Sequence, residues 1–481
     1  MKSVAVGAHA EPLASLCGAP PDAVADATQA AKARIPSIAE SHHELTGGDL
    51  RRKPCLASLV EELAEDQLRQ QNACASNEIP PLTDENLLTP KFCHALVAAA
   101  RHDELPHAAV TIVAYREPEL LRRTLRRLRS PRFARMVHLD LRTDAAFEAA
   151  VLATADEEAA AGAPLCVVKS HTIVYRTGTD IEVVMGALAW WVARAPAGRF
   201  DYFVPLTGSD YPLWTADELS WLLREAETGR DGPVTWLRAG PGHAQCRRGA
   251  ALMTEPRWKD EFGARMLSFA FPCVGAGATA GSSGAPAPPP LPPESILVRP
   301  RRPWLFEAHS SFDDAVADDE LLFCWTRPMS TGVYAWDAAR FLVDDPRARR
   351  AFHFFRRAGH GQVEHYWSST LASWYSPRRL LDRDPALMSW HRGVYVGARH
   401  GVSNSFLTAS ELDFVKAGMW MAHLFVRKVS LLEHNGTVGL LDAIDAGAAA
   451  GLPTAADAAA AARAPGGGLA EAAAADAALD A

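Results

Sequence analysis

The chain has 481 residues, of which 48% are hydrophobic and 22% are charged, and these proportions are ordinary for a globular protein. Its formal net charge of −8 argues against a nucleic-acid-binding protein, because such proteins normally carry a surplus of Lys and Arg. No apolar run reaches the roughly 18 residues of a transmembrane helix, and the first residues contain no signal-peptide core.

The eight cysteines are spread along the chain and form no Cys-x-x-Cys pair, which argues against a structural zinc site. An even number of cysteines permits disulfides, and free buried thiols are equally compatible with the count. The sequence leaves the state of the cysteines open.

Regular structure is predicted to begin after residue 106, and we interpret 1–106 as an N-terminal extension that is partly helical or disordered. The run AAVTIVAY (108–115) predicts a buried strand, and Glu117-Pro118-Glu119 opens a helix whose leucines recur at helical spacing. Further strands are predicted at 136–141, 163–168, 202–206 and 234–239, with a helix over 181–192. Strands that alternate with helices predict an α/β fold with a mainly parallel sheet.

The fourth predicted strand leads into a polar patch, Thr207-Gly208-Ser209-Asp210, and a helix follows. Thr215 and Glu218 have the spacing of a capping box, in which each side chain accepts a hydrogen bond from a backbone amide of the other. Since ligands of open α/β sheets bind at the carboxyl ends of the strands, the patch is a candidate binding edge. The alternative is that Asp210 and Pro212 only shape a tight turn.

The remainder of the chain divides by composition. Residues 273–293 are a Gly/Ala/Pro-rich stretch that predicts a mobile surface loop, and 442–481 is an Ala/Gly-rich tail without aromatic residues. The sequence therefore predicts one main domain over 107–441, interrupted by that loop.

Glu364 is the candidate catalytic residue. The aromatic and apolar residues that follow it would disfavour the charged form of its carboxylate, and such a carboxylate is a good general base. The alternative is a helix N-terminal acid stabilised by the helix dipole, and the local sequence does not decide between them. The spacing of His360, Glu364 and His365 does not match a zinc-binding helix. The sequence also contains no Gly-x-Gly-x-x-Gly, Walker or Gly-x-Ser-x-Gly motif.

Taken together, these patterns resemble the core-2/I-branching β-1,6-N-acetylglucosaminyltransferases, a family that includes the peptide O-xylosyltransferases and a plant branch. The first matching block ends in the family's His-x-Asp, here His138-Leu139-Asp140. In the closest block, a buried strand is followed by small and polar residues, Asp210 and Pro212. The matching blocks are 108–143, 174–193, 201–223, 326–343 with 361–373, and more weakly 389–430.

The resemblance implies a GT-A-type α/β sandwich that binds a UDP-sugar at the carboxyl edge of its sheet. Several members need no metal, so no metal or other cofactor is expected here, and cationic side chains must offset the charge of the departing diphosphate. Lys428 matches the family's phosphate-contacting lysine. The other residues assigned to the donor site are Asp140 near the uridine or ribose, Gly178, Ser209 and Asp210 near the sugar, and Arg427, with Arg399 and Arg392 as further candidates.

The function implied is inverting transfer of N-acetylglucosamine or xylose from a UDP-sugar to a hydroxyl of a glycan or glycoprotein, with Glu364 as general base. The family resemblance also implies the Golgi membrane or lumen, although the sequence shows no anchor. Val363 replaces the family's acidic residue, and this departure motivates an alternative, a non-catalytic glycan-binding or scaffold protein of the same fold. An α/β protein unrelated to carbohydrates is the third possibility.

Overall fold

A computed structural model describes residues 79, 82–101, 103–171, 173, 179–237, 332–355, 362–375, 379–381, 383–388, 406–432 and 436–463, with four short strands between 246 and 324. The loop predicted over 273–293 lies outside these ranges, as do Gly178, Arg392 and Arg399.

The strands and helices are numbered here in chain order. The strands are β1 (Ala108–Ala114), β2 (Phe133–Asp140), β3 (Leu165–His171), β4 (Tyr202–Thr207), β5 (Asp210–Pro212), β6 (Thr235–Trp236), β7 (Cys246–Arg248), β8 (Ser268–Phe269), β9 (Leu297–Val298), β10 (Leu322–Cys324), β11 (Tyr334–Ala335), β12 (Leu380–Leu381), β13 (Ala386–Met388) and β14 (Phe425–Arg427). The helices are α1 (Pro90–Ala98), α2 (Pro118–Arg127), α3 (Ala145–Ala160), α4 (Thr179–Arg194), α5 (Ala216–Glu227), α6 (Trp336–Asp344), α7 (Pro346–Phe355), α8 (Gln362–Trp374), α9 (Leu412–Trp420), α10 (Thr437–Ala446) and α11 (Ala455–Arg463).

A five-stranded sheet in the order β11-β4-β1-β2-β3 forms the centre of the fold. Strands β1 to β4 run parallel, and β11 runs antiparallel to β4. Helices α2, α3 and α4 connect the successive parallel strands. This confirms the predicted α/β fold with a mainly parallel central sheet.

The two faces of the sheet are covered by separate sets of helices. Val110 and Ile112 of β1 pack in a core cluster that also contains the leucines of α2, whereas Ala109 packs in a second cluster with Trp190 and Trp191 of α4. Since side chains alternate across a strand, this division makes the fold a three-layer sandwich.

The prediction for 234–239 is wrong in extent. Of residues 234–237, the described part of this range, Thr235–Trp236 form the strand, which pairs in parallel with β12 in a separate two-stranded sheet. The backbone of Trp236 is already engaged on its other side, where its N–H donates to Val333 O at 2.8 Å. Strand β6 therefore lies next to the start of β11, the edge strand of the central sheet, and is not a further strand of that sheet.

The packed domain extends beyond both predicted boundaries. Helix α1 lies against β3, where Leu88 N donates to Val167 O at 2.8 Å and a disulfide joins Cys93 to Cys166. At the other end, Ile444 of α10 and Ala458 of α11 are completely buried in the core. The packing of α11 was not predicted, because its alanines form no periodic pattern of large apolar side chains.

Candidate functional site

The polar patch after β4 is a tight turn that leads directly into β5. Thr207 N donates to Asp210 Oδ2 at 2.6 Å, and Thr207 Oγ1 donates to the same oxygen at 3.0 Å. The side chain of Asp210 thereby closes the turn. The predicted capping box is confirmed at the start of α5, where Thr215 N donates to Glu218 Oε2 at 2.8 Å.

Strand β5 pairs in antiparallel fashion with β14, and this pairing places Asp210 opposite Arg427. Arg427 Nη1 lies 3.1 Å from both carboxylate oxygens of Asp210 and donates to Thr207 Oγ1 at 3.2 Å. Asp210 is completely buried, and only 14% of the Arg427 side chain is exposed. The geometry therefore supports the alternative in which Asp210 shapes the turn, and contact of either side chain with a sugar nucleotide stays a prediction.

The segment after β14 lies along the same turn. Val429 N donates to Ser209 O at 3.0 Å, and Leu407 N donates to Lys428 O at 3.0 Å. Ser209 and Lys428 are both partly exposed. The fold thus brings together four of the predicted site residues, Ser209, Asp210, Arg427 and Lys428, at the carboxyl end of β4.

Asp140 lies at the same edge of the sheet, at the end of β2. Because β1 separates β2 from β4 and neighbouring strands lie about 4.8 Å apart, Asp140 is displaced by about 10 Å from the β4 turn. Its carboxylate accepts hydrogen bonds from Arg142 N at 2.7 Å and Ile173 N at 3.0 Å. Asp140 therefore connects the turns that follow β2 and β3.

Glu364 belongs to the first turn of α8, and its side chain lies outside the described part of the structure. The ring of Trp367 contacts that of Tyr334 in β11, with centroids 5.3 Å apart. Just past α8, Tyr375 contacts Phe341 of α6. Helix α6 begins beside Phe200, at the amino edge of the sheet. These contacts attach α8 to β11 and α6, and the role of Glu364 stays a prediction.

A polar network around the buried ring of His138, below the carboxyl edge, was missed by the sequence analysis. His138 Nε2 lies 2.7 Å from Ser170 Oγ, which lies 2.6 Å from His171 Nδ1. Burial lowers the pKa of His138 to about 3 and that of His171 to about 4, so both rings are neutral near neutral pH. The available signal was the His-x-Asp motif itself, in which His138 precedes Asp140 by two residues on the same face of β2.

No model of a known protein family matches the chain, and no curated protein matches it significantly.

Among the described helices, none has both the length and the apolar character required to cross a membrane. Within the same ranges, no group of three or more His, Cys, Asp or Glu side chains is placed to hold a metal ion, and the metal requirement stays a prediction.

Proposed function

We propose that this protein is an inverting glycosyltransferase of the GT-A type, which moves N-acetylglucosamine or xylose from a UDP-sugar to a glycan or glycoprotein hydroxyl. The observation that carries the proposal is the convergence of Ser209 and Lys428, more than 200 residues apart in sequence, at the carboxyl end of β4. That edge is where ligands of open parallel sheets bind.

The charges at this edge suggest how the donor diphosphate is held. We assign the charge that stabilises departing UDP to Lys428, which is partly exposed beside Ser209, with Arg399 as a second candidate. Arg427 lies against the buried Asp210 and is assigned to holding this segment in place. This assignment needs no metal ion. Ser209 lies beside Lys428 and is assigned to the sugar end of the donor.

The uridine end of the donor is assigned to the ends of β1 and β2. The carboxylate of Asp140 accepts a hydrogen bond from Ile173 N, so it fixes the turn after β3, which borders this proposed region. Gly178 follows that turn in sequence and belongs to the same proposed region. The distance of about 10 Å between Asp140 and the β4 turn suits a ligand that extends along the strand ends.

The proposed chemistry is a single displacement. The oxygen of an acceptor hydroxyl forms a bond to the anomeric carbon of the sugar, while the bond from that carbon to the β-phosphate oxygen of UDP breaks. Glu364 takes the hydroxyl proton, and the electron pair leaves with UDP. Attack from the opposite face converts an α-linked donor into a β-glycoside. General-base assistance of this kind contributes about 10²–10⁴-fold to the rate.

The disulfide between Cys93 and Cys166 supports the proposed Golgi location. Disulfides persist in oxidising compartments and are rare in the reducing cytosol. Both sulfur atoms lie between α1 and β3 in the second core cluster, with Cys93 and Cys166 completely buried. A lumenal protein is the simplest host for such a crosslink.

A thermal melt with UDP tests the donor site, measured first in EDTA and then with Mn²⁺, with ADP as the control nucleotide. Ligand at 100 times its dissociation constant adds about 2.7 kcal/mol of stability, which gives a measurable shift. A shift with UDP in EDTA, followed by sugar transfer in a screen of UDP-sugars, is the expected result. A shift without transfer from any donor favours the non-catalytic alternative. No shift under either condition overturns the proposal.

A further inference from the structure

The turn after β1 contains a buried carboxylate that the proposed chemistry does not use. Glu117 is 7% exposed and precedes the first residue of α2. Its backbone has φ 62° and ψ 66°, in the left-handed region that residues other than glycine seldom adopt. Because carboxylates are rarely buried without partners, this side chain calls for a structural reason.

The partners of Glu117 come from the segment that follows β14. Ser430 Oγ donates to Glu117 Oε1 at 2.5 Å, and Leu431 N donates to Oε2 at 2.6 Å. Arg116 Nε lies 3.6 Å from Oε1. Both carboxylate oxygens are therefore used to hold two consecutive residues that lie more than 300 positions further along the chain.

These contacts complete the support of residues 427–431, which we call the Lys428 segment. Arg427 is fixed by the ion pair with Asp210, and Val429 N donates to Ser209 O. Glu117 then holds the far end of the segment at the end of β1, the strand next to β4. The Lys428 segment thus crosses the carboxyl ends of two neighbouring strands and is anchored on both sides of Lys428.

We propose that Glu117 is a positioning residue, which holds the Lys428 segment across the ends of β4 and β1 so that Lys428 can bind the diphosphate of a nucleoside diphosphate. This inference rests on the proposed function. Hydrogen bonds to a charged group are among the stronger ones in proteins, and a segment without its anchor must be ordered again when the ligand binds. Removal of the Glu117 anchor should therefore weaken the binding of a nucleoside diphosphate more than the binding of a nucleoside monophosphate.

The test compares UDP with UMP in titration calorimetry, for the wild-type protein and for Glu117→Gln. Glutamine keeps the shape of the side chain but replaces one acceptor oxygen with a donor, which cannot accept from Ser430 or Leu431. The control is Glu119→Gln, because Glu119 lies two residues further along, in the first turn of α2, with 51% of its side chain exposed. Ser430→Ala, which removes one donor to Glu117, serves as a second variant if Glu117→Gln does not fold.

We expect the affinity for UDP to fall about 10- to 100-fold in Glu117→Gln and less in Ser430→Ala, with a smaller change for UMP, and no change in Glu119→Gln. Either an unchanged affinity for UDP or an equal loss for UDP and UMP in Glu117→Gln and Ser430→Ala overturns the role of Glu117 alone, since a merely structural residue would weaken both nucleotides equally. A wild-type protein that binds neither nucleotide overturns the proposed function and this role together.

Discussion

Asp210 and Arg427 face each other across the antiparallel pair of β5 and β14, with Arg427 Nη1 3.1 Å from both oxygens of a carboxylate that has no exposed surface. When one of two paired charges that are removed from water is lost, the other is left buried without compensation, which destabilises the fold strongly. This pair fixes the position of the segment that follows β14. The stability of the domain and the geometry of the candidate site therefore depend on the same contact.

Removal of one partner should be strongly destabilising. Arg427→Met leaves the Asp210 carboxylate buried without its guanidinium, and we expect the free energy of unfolding to fall by about 3–5 kcal/mol in urea denaturation. The double variant with Asp210→Asn should lose less than the sum of the two single changes. Arg340→Met breaks an exposed ion pair with Asp344 and is the control, with an expected loss below about 1 kcal/mol. A loss in Arg427→Met as small as in this control would contradict the finding.

The elements that the sequence predicted well are those set by local pattern. The continuous apolar run of β1 and the capping box of Thr215 and Glu218 each occupy a few neighbouring residues, so propensity and hydrogen bonding suffice to identify them. The pairing of Asp210 with Arg427 and the hydrogen bond from Leu431 N to Glu117 join residues that are far apart in the chain. Such contacts depend on the packing of the whole domain and leave no local signal. Glu117 in particular has the sequence context of an ordinary acid at the start of a helix.

Substitution of Glu364 and substitution of Lys428 should affect different measured quantities, the rate of sugar transfer and the affinity for UDP. Glu364→Gln should lower the rate of sugar transfer by about 10²–10⁴-fold and leave UDP affinity unchanged, because only the proton acceptor is lost. Lys428→Ala should weaken UDP binding instead. Glu157→Gln changes a carboxylate with 51% of its side chain exposed and serves as the control with wild-type kinetics. Transfer at the wild-type rate in Glu364→Gln would remove Glu364 from the mechanism, and unchanged UDP affinity in Lys428→Ala would remove Lys428 from the donor site.

The buried histidines should make the fold sensitive to acid. Burial lowers the pKa of His138 to about 3, whereas in the unfolded chain it is about 6.5. Between these values the unfolded state binds more protons, so stability falls as the pH drops below about 6.5, by up to about 1.4 kcal/mol per pH unit from this group. Above that pH its contribution is constant.

Denaturant unfolding between about pH 7 and about pH 4.5 measures this slope. His138→Gln, which keeps a polar group near Ser170, should flatten the pH dependence relative to the wild-type protein. His94→Gln is the control, since 52% of the His94 side chain is exposed. If His138→Gln and the wild-type protein lose stability in parallel over this range, His138 is not responsible for the acid sensitivity.

The crosslink between Cys93 and Cys166 should secure α1 to the sheet. It joins residues separated by 73 positions, so it restricts a long loop in the unfolded chain, and replacing both cysteines with alanine should cost about 2–4 kcal/mol in guanidinium unfolding. Amide exchange should rise in Pro90–Ala98, the helix that the bond holds against β3. A reducing agent should cause the same loss in the wild-type protein and no further loss in the double variant. Peptide mapping without reduction provides the direct check, because alkylation of Cys93 and Cys166 under those conditions would show that the two thiols are free and that α1 is held against β3 without a crosslink.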